Sequence, residues 1–132
     1  MSRVSHVVIG AAADTTITVT RAGYGTERPQ GLVLDADEPL EVEGTTAPRI
    51  VLWAETAPPV AEVRTTAAGD IRIWHVWRDG DLIQAWVADA GIEVDDAGDD
   101  LGLRCHDGHP GAGPDLELRL SFDRAWTQPT AD

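Results

Sequence analysis

The chain has no lysine: all ten basic residues among its 132 are arginine. Without lysine there is no P-loop, whose lysine reaches the phosphates, and no Schiff-base nucleophile. Cysteine is nearly absent as well. Cys105 stands alone, so no intramolecular disulfide forms and a stapled secreted scaffold is excluded. No apolar run reaches the ~20 residues of a membrane-spanning helix. The stretch from Val7 to Ala13 is too short for a signal peptide and lacks its charged leader. A cytoplasmic location is therefore expected. Positive charge is also scarce, with 23 Asp+Glu against 10 Lys+Arg and a net charge of −13. Phosphate backbones and anionic lipid call for clustered positive charge, so neither nucleic acid nor a membrane is expected as a partner.

Helix signals are missing too. The Ala54–Ala57 stretch runs straight into Pro58 and Pro59, and proline drives the residue before it away from helix. What the sequence does have is alternation with a period of two. Ile17 and Val19 alternate with Thr16, Thr18 and Thr20, and Leu40 and Val42 alternate with Glu41 and Glu43. The clearest case places Leu116, Leu118, Leu120 and Phe122 on one side and Glu117, Arg119, Ser121 and Asp123 on the other. Turn-rich pieces lie between: Arg21–Gly31, Gly44–Pro48, Ala67–Asp70 and His106–Pro114. The pattern predicts an all-β, single-domain antiparallel sandwich of about nine short strands, with a closed or partly open barrel as the alternative. A flexible tail is expected from about residue 127.

One segment is more informative than the rest. Arg78-Asp79-Gly80-Asp81 separates two apolar runs, and Asp-Gly predicts a two-residue type I′ turn. A turn at Asp79-Gly80 pairs Arg78 with Asp81 and Trp77 with Leu82. One face of the hairpin then carries Ile71, Ile73, His75, Trp77, Leu82, Gln84, Trp86 and Ala88. The other carries Arg72, Trp74, Val76, Arg78, Asp81, Ile83, Ala85 and Val87. Both are more apolar than a solvated surface should be. With the first face in the core, the second is a patch that must meet a folded-back loop, a second copy of the chain or a ligand. Arg72, Trp74, Val76, Arg78 and Ile83 are the candidate interface, a composition suited to protein contact and to a homodimer.

Five tryptophans stand against one Tyr and one Phe. If the first face were open, His75, Trp77, Gln84 and Trp86 would make a carbohydrate-stacking platform; otherwise tryptophan fills a core short of phenylalanine. Cys105, His106 and His109 are weak candidates for a metal site that would serve a small metal-dependent enzyme. They lack a paired spacing and a second ligand cluster, and Cys105 fits as a small buried apolar residue. Asp95, Asp96, Asp99 and Asp100 lack the calcium-loop pattern and read as an acidic hairpin turn. No serine lies in a nucleophile motif. No cofactor is expected, and no catalytic residue stands out. The expected function is a small acidic, non-catalytic interaction protein, self-associating or steered to a basic protein. A carbohydrate-binding module is the main alternative. The −13 reads as an acidic coat around one neutral, Trp-rich surface.

Overall fold

The computed structural model describes residues 4–24, 28–85, 90–96, 100–107, 115–127 and 130–131. The protein is all-β, with no helix among the described residues. Eleven strands form in chain order: β1 (Val7–Ala11), β2 (Thr16–Tyr24), β3 (Gln30–Val42), β4 (Thr45–Trp53), β5 (Val60–Thr65), β6 (Gly69–Asp79), β7 (Leu82–Gln84), β8 (Ala90–Asp96), β9 (Asp100–Asp107), β10 (Leu116–Phe122) and β11 (Thr130–Ala131). They build one antiparallel sheet in the order β11-β1-β6-β3-β5-β2-β10-β9-β8, with β4 also on β3 and β7 also on β6.

The sheet curls into a half-barrel, and β3 is where it turns. This strand of 13 residues pairs with β6 along Gln30–Ala36 and with β5 at Leu40 and Glu41, with an irregularity between Asp35 and Leu40. Pro39 sits in that break, where a missing N–H costs no ladder bond. Far along the curl, β8 meets the chain just ahead of β1. Val4 and Ile92 exchange both backbone hydrogen bonds, at 2.9 and 2.8 Å. Ile9, Ile17, Leu32, Leu34, Ile73, Ile92, Leu101 and Leu120 fill the concave side and are fully buried. The alternation in β10 has this cause: Leu116, Leu118 and Leu120 face the core, while Glu117, Arg119 and Ser121 face outward.

Several expected turns sit elsewhere. Val42 pairs with Thr45, so Glu43 and Gly44 make the β3–β4 turn and Thr45–Pro48 belong to strand. Both central residues have positive φ, 51° and 81°, as a type I′ turn requires. In the β6–β7 hairpin, Asp79 pairs with Leu82, Arg78 with Ile83 and Trp77 with Gln84. The turn is Gly80-Asp81, one residue later than expected. Gly80, at φ 63°, takes the first central position, where a type II′ turn favours glycine. The correction moves each partner by two residues, so both faces keep their membership. Beyond Trp126, Thr127 donates its N–H to the Gly10 carbonyl, and β11 pairs with Val7 and Val8 of β1. No helix among the described residues is long and apolar enough to cross a membrane.

Candidate functional site

Strand order brings residues far apart in sequence onto the convex side of β4, β3 and β6. The register lays them in three rows: Trp53–Gly31–Val76, Val51–Val33–Trp74 and Arg49–Asp35–Arg72. Glycine at 31 leaves room for an indole to lie flat, since an added Cβ would stand 2.9 Å from Cε3 of Trp53. The Arg78 guanidinium sits 4.8 Å from the Trp53 ring centre, and Arg49 sits 5.1 Å from that of Trp74. These are cation–π distances. Val76 and Val33 are buried on this side, at 5% and 3% exposure, while Trp53 and Trp74 are half-buried.

The charges of this face are largely internally matched. Asp35 accepts from Nε of Arg49 at 3.1 Å and Nε of Arg72 at 2.8 Å, and Arg72 also reaches Asp37 at 3.1 Å. Burial works to raise the Asp35 carboxyl, but the hydrogen bonds and charges of Arg72 and Arg49 outweigh it and hold the group below its usual range. Of the five expected interface residues, Arg72, Trp74 and Val76 lie in the rows and Arg78 caps Trp53. Ile83 projects at the hairpin tip, 61% exposed, with Leu82 beside it at 64%. Trp53 and Arg49 were missed in the sequence because β4 reaches β6 only through β3.

Behind this face, on the concave side, lies a buried polar chain. Nε2 of Gln30 donates to Oδ2 of Asp107 at 3.0 Å and to the Arg28 carbonyl at 3.2 Å. This fixes the amide orientation, so Oε1 faces His75, 2.6 Å from its Nε2. An amide oxygen only accepts, so Nε2 of His75 carries the proton and Nδ1 keeps its lone pair. Nδ1 is buried and has no hydrogen-bond partner. Burial pushes His75 down from 6.5 to about 4, against the opposing pull of the Asp107 carboxylate. Arg28 pairs with the other oxygen of Asp107 at 2.9 Å and lies 5.9 Å from the Trp77 ring. The Asp115 carboxyl accepts the Asp107 N–H at 2.9 Å, and burial and the nearby Asp107 carboxylate raise its pKa.

The alternative ligand set is divided by this arrangement. His75 and Trp77 are 3% and 1% exposed, with ring centres 5.2 Å apart, so Trp77 offers no open stacking face. Gln84 is half-buried, and Trp86 lies outside the described residues. Among the weak metal candidates, Cys105 is buried in the core, where desolvation drives its thiol far up in pKa. His106 turns the opposite way to pair with Glu93. His109 lies outside the described residues, and among those described no three His, Cys, Asp or Glu side chains are grouped to hold a metal ion. No protein-family model matches the chain, and comparison with curated proteins and with solved structures finds no match.

Proposed function

We propose that the protein is a small non-catalytic binding protein that engages a basic protein partner through the convex face of β4, β3 and β6 and the tip of the β6–β7 hairpin. One observation carries the reading: the apolar Leu82 and Ile83 stand 64% and 61% exposed at the hairpin tip, and Ile83 pairs in register with Arg78, whose guanidinium lies over the half-buried Trp53. Exposed apolar side chains at a hairpin tip, paired with an arginine that caps an indole, have the composition of a contact surface. The carboxylates Asp35 and Asp37 within the face already pair with arginine, so a partner need not neutralise them. The remainder of the −13 charge steers a basic surface toward this patch and raises the encounter rate at low salt.

The test compares wild type with Trp74→Ser and with Leu82→Ser/Ile83→Ser as baits for basic proteins at low and high salt. The reading expects a protein held by wild type at low salt, released at high salt and lost from both variants. Equal retention by the variants overturns it. If wild type instead has twice the monomer mass and Trp74→Ser has the monomer mass, the face serves self-association and a basic partner is excluded as its occupant.

A further inference from the structure

The convex face continues past Arg72 to a groove that the candidate interface does not include. Side chains alternate along β6, so Asp70 shares this face with Arg72 and Trp74, and it pairs with Gly10 of β1. Gly10, Ala11, Ala12 and Gly69 carry nothing larger than a methyl group. They floor a groove of about 300 Å³ that Trp126 walls and Asp70 borders. The segment after β10 is held over this end of β1. Thr127 donates to the Gly10 carbonyl and its hydroxyl accepts the Gly10 N–H, both at 2.9 Å. Trp126 is fixed by stacking on Phe122, with ring centres 4.6 Å apart.

Asp70 is the charged member of the groove's lining. Its exposed carboxylate makes no hydrogen bond or ion pair among the described residues, whereas Asp35 and Asp37 on the same side are paired with arginine. Arg72, two residues along the strand, is committed to Asp35 and Asp37, and Nε of Arg124 to the Asp14 carbonyl. An unpaired carboxylate beside an indole, over an apolar floor of small residues, is the chemistry that receives a cationic side chain.

We infer that the groove between Trp126 and Asp70 receives an arginine or lysine side chain of the basic protein partner. The inference rests on the proposed function and names the anchor by which the partner is held. Asp70 lies four residues from Trp74, about 13 Å along the strand, so one partner surface reaches both. The guanidinium or ammonium lies against the indole and pairs with the carboxylate, while its alkyl stem covers Ala12 and Gly69, since the Thr127 side chain already lies over Gly10.

The probe is the peptide acetyl-Ala-Arg-Ala-amide, with its neutral citrulline analogue as control. The readout is the set of tryptophan indole N–H resonances, with Trp126→Phe supplying the assignment. The arginine peptide is expected to shift the Trp126 resonance saturably, and the citrulline peptide is not. Asp70→Asn should weaken binding at least about threefold, the scale of an exposed ion pair. Glu55→Gln removes the same charge near Trp53 at the opposite end of the face and should leave binding unchanged. Equal weakening by both variants, or equal shifts at every indole, overturns the groove, because only net charge would then be read. The Leu82→Ser/Ile83→Ser variant separates the two readings. It should bind the peptide as wild type does even while losing the partner. Partner capture that persists undiminished in Asp70→Asn overturns the groove and leaves the hairpin face standing.

Discussion

The two sides of β6 carry the same kinds of side chain and treat them in opposite ways. On the concave side, Trp77 and His75 are 1% and 3% exposed, and Nε2 of His75 is met by Gln30 and, through it, by Asp107, which leaves Nδ1 as the buried side-chain atom without a partner among the described residues. On the convex side, Trp74 is half-buried and its neighbours are arginines that lie over rings or pair with Asp35. Polar groups inside must be satisfied by fixed partners, because an unmet one costs about 1–3 kcal/mol. Outside, water meets the remainder, and pairing there sets charge and shape more than stability. The concave side of β6 therefore holds the fold together, and the convex side is free to serve contact.

The sharpest test of this difference removes one indole from each side. Trp77→Ala should cost about 3–5 kcal/mol in urea unfolding, as large-to-small changes at fully buried aromatic sites do. Trp74→Ala should cost less, about 1–2 kcal/mol, because part of its ring already lies in water. Equal losses would mean that the convex face is structural, and its role in contact would fall.

The next test breaks the concave side through protonation. His75 titrates at about 4 when folded and at 6.5 when unfolded, so between these values the unfolded chain binds the extra proton. Stability from this group is complete above pH 6.5 and is lost as pH falls toward 4. A shift of this size corresponds to about 3 kcal/mol. Asp115 works the other way, since its raised pKa favours the folded state as carboxylates protonate at lower pH. The informative quantity is thus the difference between wild type and His75→Leu. The variant should be weaker at pH 7 because Gln30 Oε1 loses its donor, and flatter between pH 6.5 and 4. Parallel pH profiles for the two proteins would show that His75 does not set the acid sensitivity.

How far the sequence revealed these two sides depended on how local the cause was. The β10 alternation was legible because one wet face and one dry face leave their mark on neighbouring residues. The faces of β6 were legible for the same reason, and they survived the misplaced turn because the slip preserved parity. β3 was not legible, because Gln30–Leu34 are buried on both sides between β4 and β6 and show no alternation. Pro39 reads as a boundary in sequence, yet it marks a break inside one long strand. The buried chain was hidden as well. Gln30 and Asp107 lie 77 residues apart, and nothing near either position signals the other. Trp53 and Arg49 joined the convex face through a strand order that does not follow the chain.

A smaller change sharpens the convex side. Gly31→Ala adds a methyl where Trp53 lies, 2.9 Å from Cε3, so the indole must move off its seat. The backbone at Gly31 is ordinary strand, so the cost is overpacking alone, about 1 kcal/mol. The displaced ring should shift tryptophan emission to the red and leave Arg78 without its platform. A blue shift, or no shift, would mean that the ring does not depend on the glycine.

The smallest expected effect on stability belongs to the hairpin tip, and it separates fold from function most cleanly. Leu82 and Ile83 contribute little to the core, with well over half of each in water, and β7 is held by only three register pairs to β6. Leu82→Ser/Ile83→Ser should therefore move the unfolding midpoint by no more than about 0.5 kcal/mol, as exposed substitutions do. The same change removes the most exposed large apolar side chains among the described residues, the part a partner would desolvate first. Unchanged stability with lost capture would assign these residues to contact. A stability loss near that of Trp77→Ala would instead place the tip under cover, as part of the core.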